Sequence, residues 1–415
     1  MGRLLALLCL TLLLPARGVA QDEGSRHSVA WGWEAGYIDL SGLPARTDGS
    51  LGKFRFQADG LVISRGFFEY TGRITDTLKA HTAIEAYDDS LGNVADFTEA
   101  YLEWRPVPRA ATRYRLKLGA FYPRVSLENT DIGWSSPYTL NSSSINTWVA
   151  EELRTFGAEL TAIRRPLSLG GAHTVSLNVA VFAGSDPAGA TLAWQGWAIH
   201  DRQLRFRDDW PLPPLPQLAP GNVFELQAPS NKPFRDVDGD LGYSINVEWR
   251  IDQRLLVRAM HYDNRGDPLA LDNGQYAWAT QFRHVGVQLN LPGDVGMLAQ
   301  WMKGSTAMGQ VVQGRNAVDN DFSAAYLLLT RRFDRHRFTV RYDHFEVDDN
   351  DSTPMDNNAE DGSAWTASYQ FALTDAISLA AEWVRVDTFR PAFQYLGLAS
   401  DIEEEQTQLM MRARF

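Results

Sequence analysis

The stretch Gln406-Thr407-Gln408-Leu409-Met410-Met411-Arg412-Ala413-Arg414-Phe415 alternates with a period of two and ends on an aromatic ring. Thr407, Leu409, Met411 and Ala413 fall on one face; Gln408, Met410, Arg412 and Arg414 fall on the other. Successive side chains of a strand point to opposite sides, so this is an amphipathic strand, apolar on one side and able to meet water on the other. Working outward, the same alternation recurs. Val29, Trp31, Trp33, Ala35 and Tyr37 share one parity, and Phe54, Phe56, Ala58, Val62, Phe68, Tyr70 and Ile74 read as a single long strand. Further strands are predicted over 78–87, 96–105, 113–122, 153–164, 173–184, 241–250, 254–263 and 276–291. The rest fall over 295–305, 321–333, 337–347, 364–374, 377–388 and 405–415. A slip in alternation between Gln281 and His284 predicts a bulge.

The count is about sixteen, and the connections alternate in length. Thr75–Thr77, Ile251–Gln253, Pro292–Asp294, Asp334–His336 and Thr374–Ala376 are tight turns. Between them lie polar excursions at 41–50, 88–95, 123–152, 185–240, 264–275, 306–320, 348–363 and 389–404. The fold class that follows is all-β: a transmembrane antiparallel β-barrel of about 16 strands, with short periplasmic turns and long extracellular loops. No composition break suggests a second domain, so 21–415 is read as one barrel domain.

Composition agrees. Mean hydropathy is negative, and no segment after the N-terminus is apolar for long enough to span as a helix. Aromatic residues still make up 11% of the chain, the combination a membrane barrel needs, because only alternate residues meet lipid. At the N-terminus, Arg3, the apolar run Leu4 to Leu14, and the small residues ending at Gly18-Val19-Ala20 predict a secretory signal peptide over 1–20. The only cysteine, Cys9, lies inside it, so the mature fold is expected to close without disulfides. Losing Arg3 and Arg17 from 39 basic residues leaves 37 against 51 acidic ones, a net charge of −14. Such acidity argues against nucleic-acid binding.

The closing strand with its terminal Phe415 resembles the C-terminal assembly signal of bacterial outer-membrane barrels. That resemblance implies an outer-membrane location and recognition by the barrel-assembly machinery. The whole mature chain resembles the porins. Lys117-Leu118-Gly119-Ala120-Phe121-Tyr122-Pro123 is similar to the strand before the inward-folded third loop of the phosphate-selective group, and so is Arg412-Ala413-Arg414-Phe415. The resemblance implies a homotrimer set among lipid and lipopolysaccharide. The loops lack an arginine ladder or lysine cluster, so phosphate selectivity is not carried over.

A barrel of this size is wide enough for an aqueous channel, whose selectivity comes from luminal side chains and any loop folded into the bore. Parity places Arg115, Lys117, Arg258, Arg341 and Arg412 inside, with Glu99, Glu103, Glu159 and Glu382. Charged groups there must face water or pair with one another. Segment 123–152 is the expected constriction, carrying Glu128, Asp131 and Trp134 and leaving through Glu151, Glu152 and Arg154. A structureless connection of that length is usually functional. Its hydroxyls, amides and rings suit small polar solutes.

The loop 185–240, rich in Trp and Pro, is stiff enough to act as a lid or plug. A plugged barrel would serve as a binding or adhesion module instead of a channel. Asp236, Asp238 and Asp240 alternate around Gly239 like part of a calcium loop but lack the far glutamate, so an acidic turn is expected there and no metal or other cofactor. A barrel hydrolase is the third reading. Neither Gly-x-Ser-x-Gly nor His-Glu-x-x-His occurs, and the chain is expected to have no enzymatic activity.

Overall fold

The computed structural model describes residues 26–91, 94–166 and 172–415. The predicted signal peptide and Cys9 lie outside them. Sixteen antiparallel strands close into one barrel. In chain order they are β1 (His27–Ser41), β2 (Gly60–Arg73), β3 (Leu78–Ala86), β4 (Ala95–Trp104), β5 (Thr112–Phe121), β6 (Thr155–Arg164), β7 (His173–Ala183) and β8 (Gly242–Ile251). The second half comprises β9 (Leu255–Asp263), β10 (Ala279–Leu291), β11 (Val295–Val312), β12 (Arg315–Phe333), β13 (His336–Asp349), β14 (Glu360–Ala372), β15 (Ile377–Phe389) and β16 (Asp401–Arg414).

The seam is made by the strand on which the chain ends. β16 pairs with β1 from Gly32 opposite Arg414 to Ser41 opposite Glu405. Trp31 and Phe415 then exchange two backbone hydrogen bonds of 2.9 and 2.8 Å, and their rings stack at 4.4 Å. Closure satisfies every edge, which a sheet in lipid requires. The dyad pattern sorts the faces: Leu409 and Met411 are exposed, whereas Met410 and Arg412 are buried in the bore. Leu327, Leu329, Phe338, Val340 and Trp365 continue the outward apolar band, and among the described residues no helix is long and apolar enough to cross a membrane. At the short-turn end Asp252, Asp294 and Asp334 adopt φ of 43°, 54° and 51°. Aspartate tolerates that left-handed geometry better than most residues, and it lets the strands reverse within a few positions.

Three sequence readings need correction. Residues 54–59 do not belong to the second strand. The chain leaves the sheet after Ser41 and dips into the bore, burying Phe54 and Phe56, before β2 begins at Gly60. The alternation there reflects packing on two sides of an inward loop. Gln281 to His284 contains no bulge, since β10 pairs continuously with both neighbours. Register shifts occur instead at Glu34/Ala35, Ala83/Ile84 and Met308/Val311. Residues 306–320 are not a loop either: β11 and β12 run on as a long hairpin reversing at Gln313 and Gly314, whose φ are 55° and 89°.

Candidate functional site: the bore and the segments folded into it

Three stretches enter the barrel from its long-loop end: 42–59, 122–154 and 184–241. The middle one tours the wall. Its Tyr122 amide donates to Glu99 at 3.2 Å on β4. The Leu127 amide reaches Gln300 on β11 at 2.8 Å. Glu128 meets Arg341 of β13 at 3.2 Å, and Asp131 meets Arg414 of β16 at 3.2 Å. The Gly133 amide donates to Glu69 of β2 at 2.7 Å. Gly133 has φ 65°, and a Cβ there would come within 2.5 Å of the Glu85 carboxylate, so glycine lets the chain press against that wall. The return path binds β15, where Glu382 accepts from the Leu140 and Asn141 amides at 2.6 and 2.8 Å.

The segment ends in helix α1 (Ser144–Glu152), capped by the Ser143 hydroxyl accepting from the Asn146 amide. Every residue of α1 is buried. Trp148 packs edge-on against Trp197, Phe282 and Phe322, so one face of the helix seals onto β10 and β12. Its last turn holds the other two stretches. Glu151 takes the Arg46 guanidinium at 2.7 Å and His200 at 2.8 Å. The Arg202 amide donates to His200 Nδ1, so Nε2 carries the proton and donates to Glu151. Burial raises the Glu151 carboxyl, but Arg46 and His200 outweigh it and hold it at about 2. Burial also pushes His200 down, keeping it neutral. Glu152 accepts from Trp148 Nε1 at 2.7 Å and from the Gly189 and Thr191 amides at 2.9 and 2.7 Å, at the start of helix α2 (Ala190–Gln195).

The predicted site residues therefore divide. Arg341, fully buried, donates to Asp343 at 2.7 Å, to Glu128, and to the Asn141 and Ser142 carbonyls at 2.9 Å each. Arg258 pairs with Glu248 at 2.7 Å and donates to the Ser126 carbonyl at 2.9 Å. Arg412 pairs with Glu34 at 2.9 Å and donates to the Ser136 carbonyl at 3.1 Å. These three arginines, expected to line an open wall, hold segment 122–154 in place. Arg154 contacts the Tyr122 hydroxyl and the Leu204 carbonyl, and Trp134 stacks on Tyr122 at 4.3 Å. Glu151, Glu152 and Arg154, expected at the exit of the constriction, are thus all buried in packing contacts.

Glu99, Arg115 and Lys117 are different. They stay partly exposed on β4 and β5, with Lys117 over the Tyr101 ring at 4.3 Å and Arg115 3.7 Å from Glu103, itself mostly buried. Glu69, His81 and Tyr101 share that partial exposure. On β8 to β16 the inward residues Ser244, Met260, His284, Met302, Tyr326, Asp343, Thr366, Val384 and Gln408 are all buried. The partly exposed inward residues therefore lie off-centre, along β2 to β5. At the short-turn end the bore widens into a cavity of about 940 Å³, lined by Arg165, Arg250, Arg254, Arg332 and Arg337 with Asp252 and Asp294.

Sequence reasoning missed the ion pairs of stretch 42–59: Arg46–Glu151, Lys53–Glu360 and Arg55–Asp201. The available signal was cationic Lys53 and Arg55 interleaved with Phe54 and Phe56 between glycines 49, 52 and 60. In the acidic turn, carboxylates of Asp186, Asp236 and Asp238 lie within 4.8 Å of one another, without Asp240. Asp186 accepts from the Val237 and Asp238 amides, and Asp236 accepts from Gly239, so the loop's own backbone uses them.

No protein-family model matches the sequence, and comparison with curated proteins gives no match. Solved structures do match the fold. The outer membrane channel DcaP of Acinetobacter baumannii superposes with a TM-score of 0.54 at 11% identity, covering 94% of this chain and 97% of that one. A trimer form of in-vitro folded OmpT of Vibrio cholerae gives 0.51 at 10%, covering 94% and 100%. Salmonella typhi OmpF in complex with daunomycin gives 0.50 at 10%, covering 94% and 97%. At such identities the likeness is one of architecture. With the closed sheet and the apolar outer band, it shows that the chain has the sixteen-stranded barrel fold of these outer-membrane proteins.

Proposed function

We propose that this barrel is a passive channel passing small polar or anionic solutes through the off-centre gap beside segment 122–154. The observation that carries the reading is the division of the inner wall. Midway along the barrel the inward residues of β8 to β16 are covered, whereas on β2 to β5 Glu69, His81, Glu99, Tyr101, Arg115 and Lys117 keep partial exposure beside buried Arg65, Glu85 and Glu103. Opposite charges side by side along a narrow route orient dipolar solutes and replace part of their hydration. The arginine-lined vestibule at the periplasmic end adds a positive potential that favours anions at the exit. No reacting group or cofactor is required.

The test is single-channel recording of folded protein in planar bilayers. The expected result is small, ohmic steps, with the reversal potential in a salt gradient moving toward cations in the R115Q/K117Q variant. Absence of steps would favour the second reading, a sealed barrel used as a binding module. The buried pairs Arg46–Glu151, Arg55–Asp201 and His200–Glu151, which lock the three inward stretches together, are what speaks for it. A homotrimer is proposed with the channel, and native mass spectrometry of the detergent complex checks it.

A further inference from the structure

The long-loop end of the barrel holds a buried cluster of oxygen-bearing side chains that the channel does not use. Asn320 on β12 stands directly opposite Asp349 on β13, and both share the inward parity of the buried residues Phe322 and Val347. The connection 350–359 folds back over this pair. Its Asp351 amide donates to Asp349 Oδ1 at 3.1 Å, and its Asn358 amide donates to Asp349 Oδ2 at 2.9 Å. Asp351 in turn accepts from the Asp319 and Thr353 amides at 3.0 and 2.8 Å. Asp356, in the same connection, accepts from Gln217 Nε2 at 2.8 Å, which brings in the inward stretch 184–241.

The unpaired atoms are what point to a ligand. Asn320 is fully buried, yet among the described residues neither its Oδ1 nor its Nδ2 has a hydrogen-bond partner. Gln217 Oε1 and Asp356 Oδ2 are also buried and unpartnered, on side chains that already touch each other. Buried polar groups left dry are costly, and native structures pair nearly all of them. Burial, with Asp351 nearby, pushes the Asp356 carboxyl up to about 8, so the cluster is short of positive charge. Arg390 is the base whose charge reaches Asp356, but its guanidinium is committed to Glu360 at 3.3 Å and the Ala193 carbonyl at 2.7 Å. The donors around the cluster are carboxylate and amide oxygens, without sulfur or imidazole, which is a set for a hard cation. Calcium accepts an irregular oxygen cage drawn from separate segments, whereas magnesium demands a near-ideal octahedron. We propose that Asp349 and Asp356, with the Asn320 and Gln217 amide oxygens, bind one calcium ion. Asp351 adds charge beside them while its own oxygens stay on the loop amides. Through Gln217 the ion ties the inward stretch 184–241 to the rim of β12 and β13.

The test uses the full folded chain in detergent, stripped with a chelator and held near pH 8 at constant ionic strength. Titration calorimetry with calcium chloride should show one ion bound per chain, and calcium should raise the melting temperature. N320L fills the same space without an oxygen, and D356N keeps the shape while removing the charge. Each should bind calcium about tenfold more weakly, with heat-modifiable gel migration checking that it is folded. D236N, in the acidic turn whose carboxylates serve their own backbone, should bind as wild type. Absence of uptake by wild type, an equal response to magnesium, wild-type affinity in both N320L and D356N, or loss of uptake in D236N would each overturn the assignment. No current is recorded, so the result stands apart from the channel proposal.

Discussion

Arg341 shows how one side chain can organise the bore. Its planar fork serves two carboxylates and two carbonyls at once, a geometry a lysine ammonium cannot reproduce. R341Q would leave Glu128 and Asp343 buried beside each other without a cation. Removing one partner of such a set typically costs about 3–5 kcal/mol. The expected outcome is a lower urea midpoint for the folded barrel, together with new proteolytic cleavage within 122–154. Glu151 gives a pH signature. Its folded pKa, about 2, lies below the unfolded value of about 4.3. The stability it contributes is therefore complete above that unfolded value and is lost as pH falls toward 2. Melting temperatures of wild type and E151Q should differ at pH 7 and converge by about pH 2. Parity in the sequence already placed Arg341, Arg258 and Arg412 inside. Their partners were hidden, because backbone carbonyls such as those of Asn141 and Ser136 leave no trace in residue identities.

At the scale of elements, strands were legible wherever one face met lipid and the other met the bore, as in β7, β14 and β16. Reading failed where an element had two buried sides. The inward stretch 42–59 mimics a strand because Phe54 and Phe56 alternate with Lys53 and Arg55, each finding its own partner. The β11–β12 hairpin was hidden by Gly309 and Gly314, which look like loop residues but serve a register shift and a tight reversal. Segment 122–154 depends on wall groups distant in sequence. Glu382 alone holds two of its amides. E382L should free the Leu140–Asn141 tip and appear as added current noise with larger, less uniform conductance steps. Unchanged noise would show that the Arg341 contacts suffice to fix the tip.

At the scale of the whole molecule, closure by β16 onto β1 leaves a cylinder whose long-loop half is largely occupied by its own inward segments and whose short-turn end opens into a cavity. Sixteen strands were countable from the pattern, but the filling was not, because it rests on Trp148, Trp194 and Trp197 packing across the bore. In the proposed channel, the route for solutes is set by which wall the inward segments leave uncovered. Cysteine accessibility tests that most directly. In a background without Cys9, Lys117→Cys on the open wall and Ser244→Cys on the covered wall are each exposed to a bulky charged thiol reagent during bilayer recording. The expected result is rapid loss of current for the first and none for the second. Equal block at both positions, or block only at the second, would contradict an off-centre route along β2 to β5.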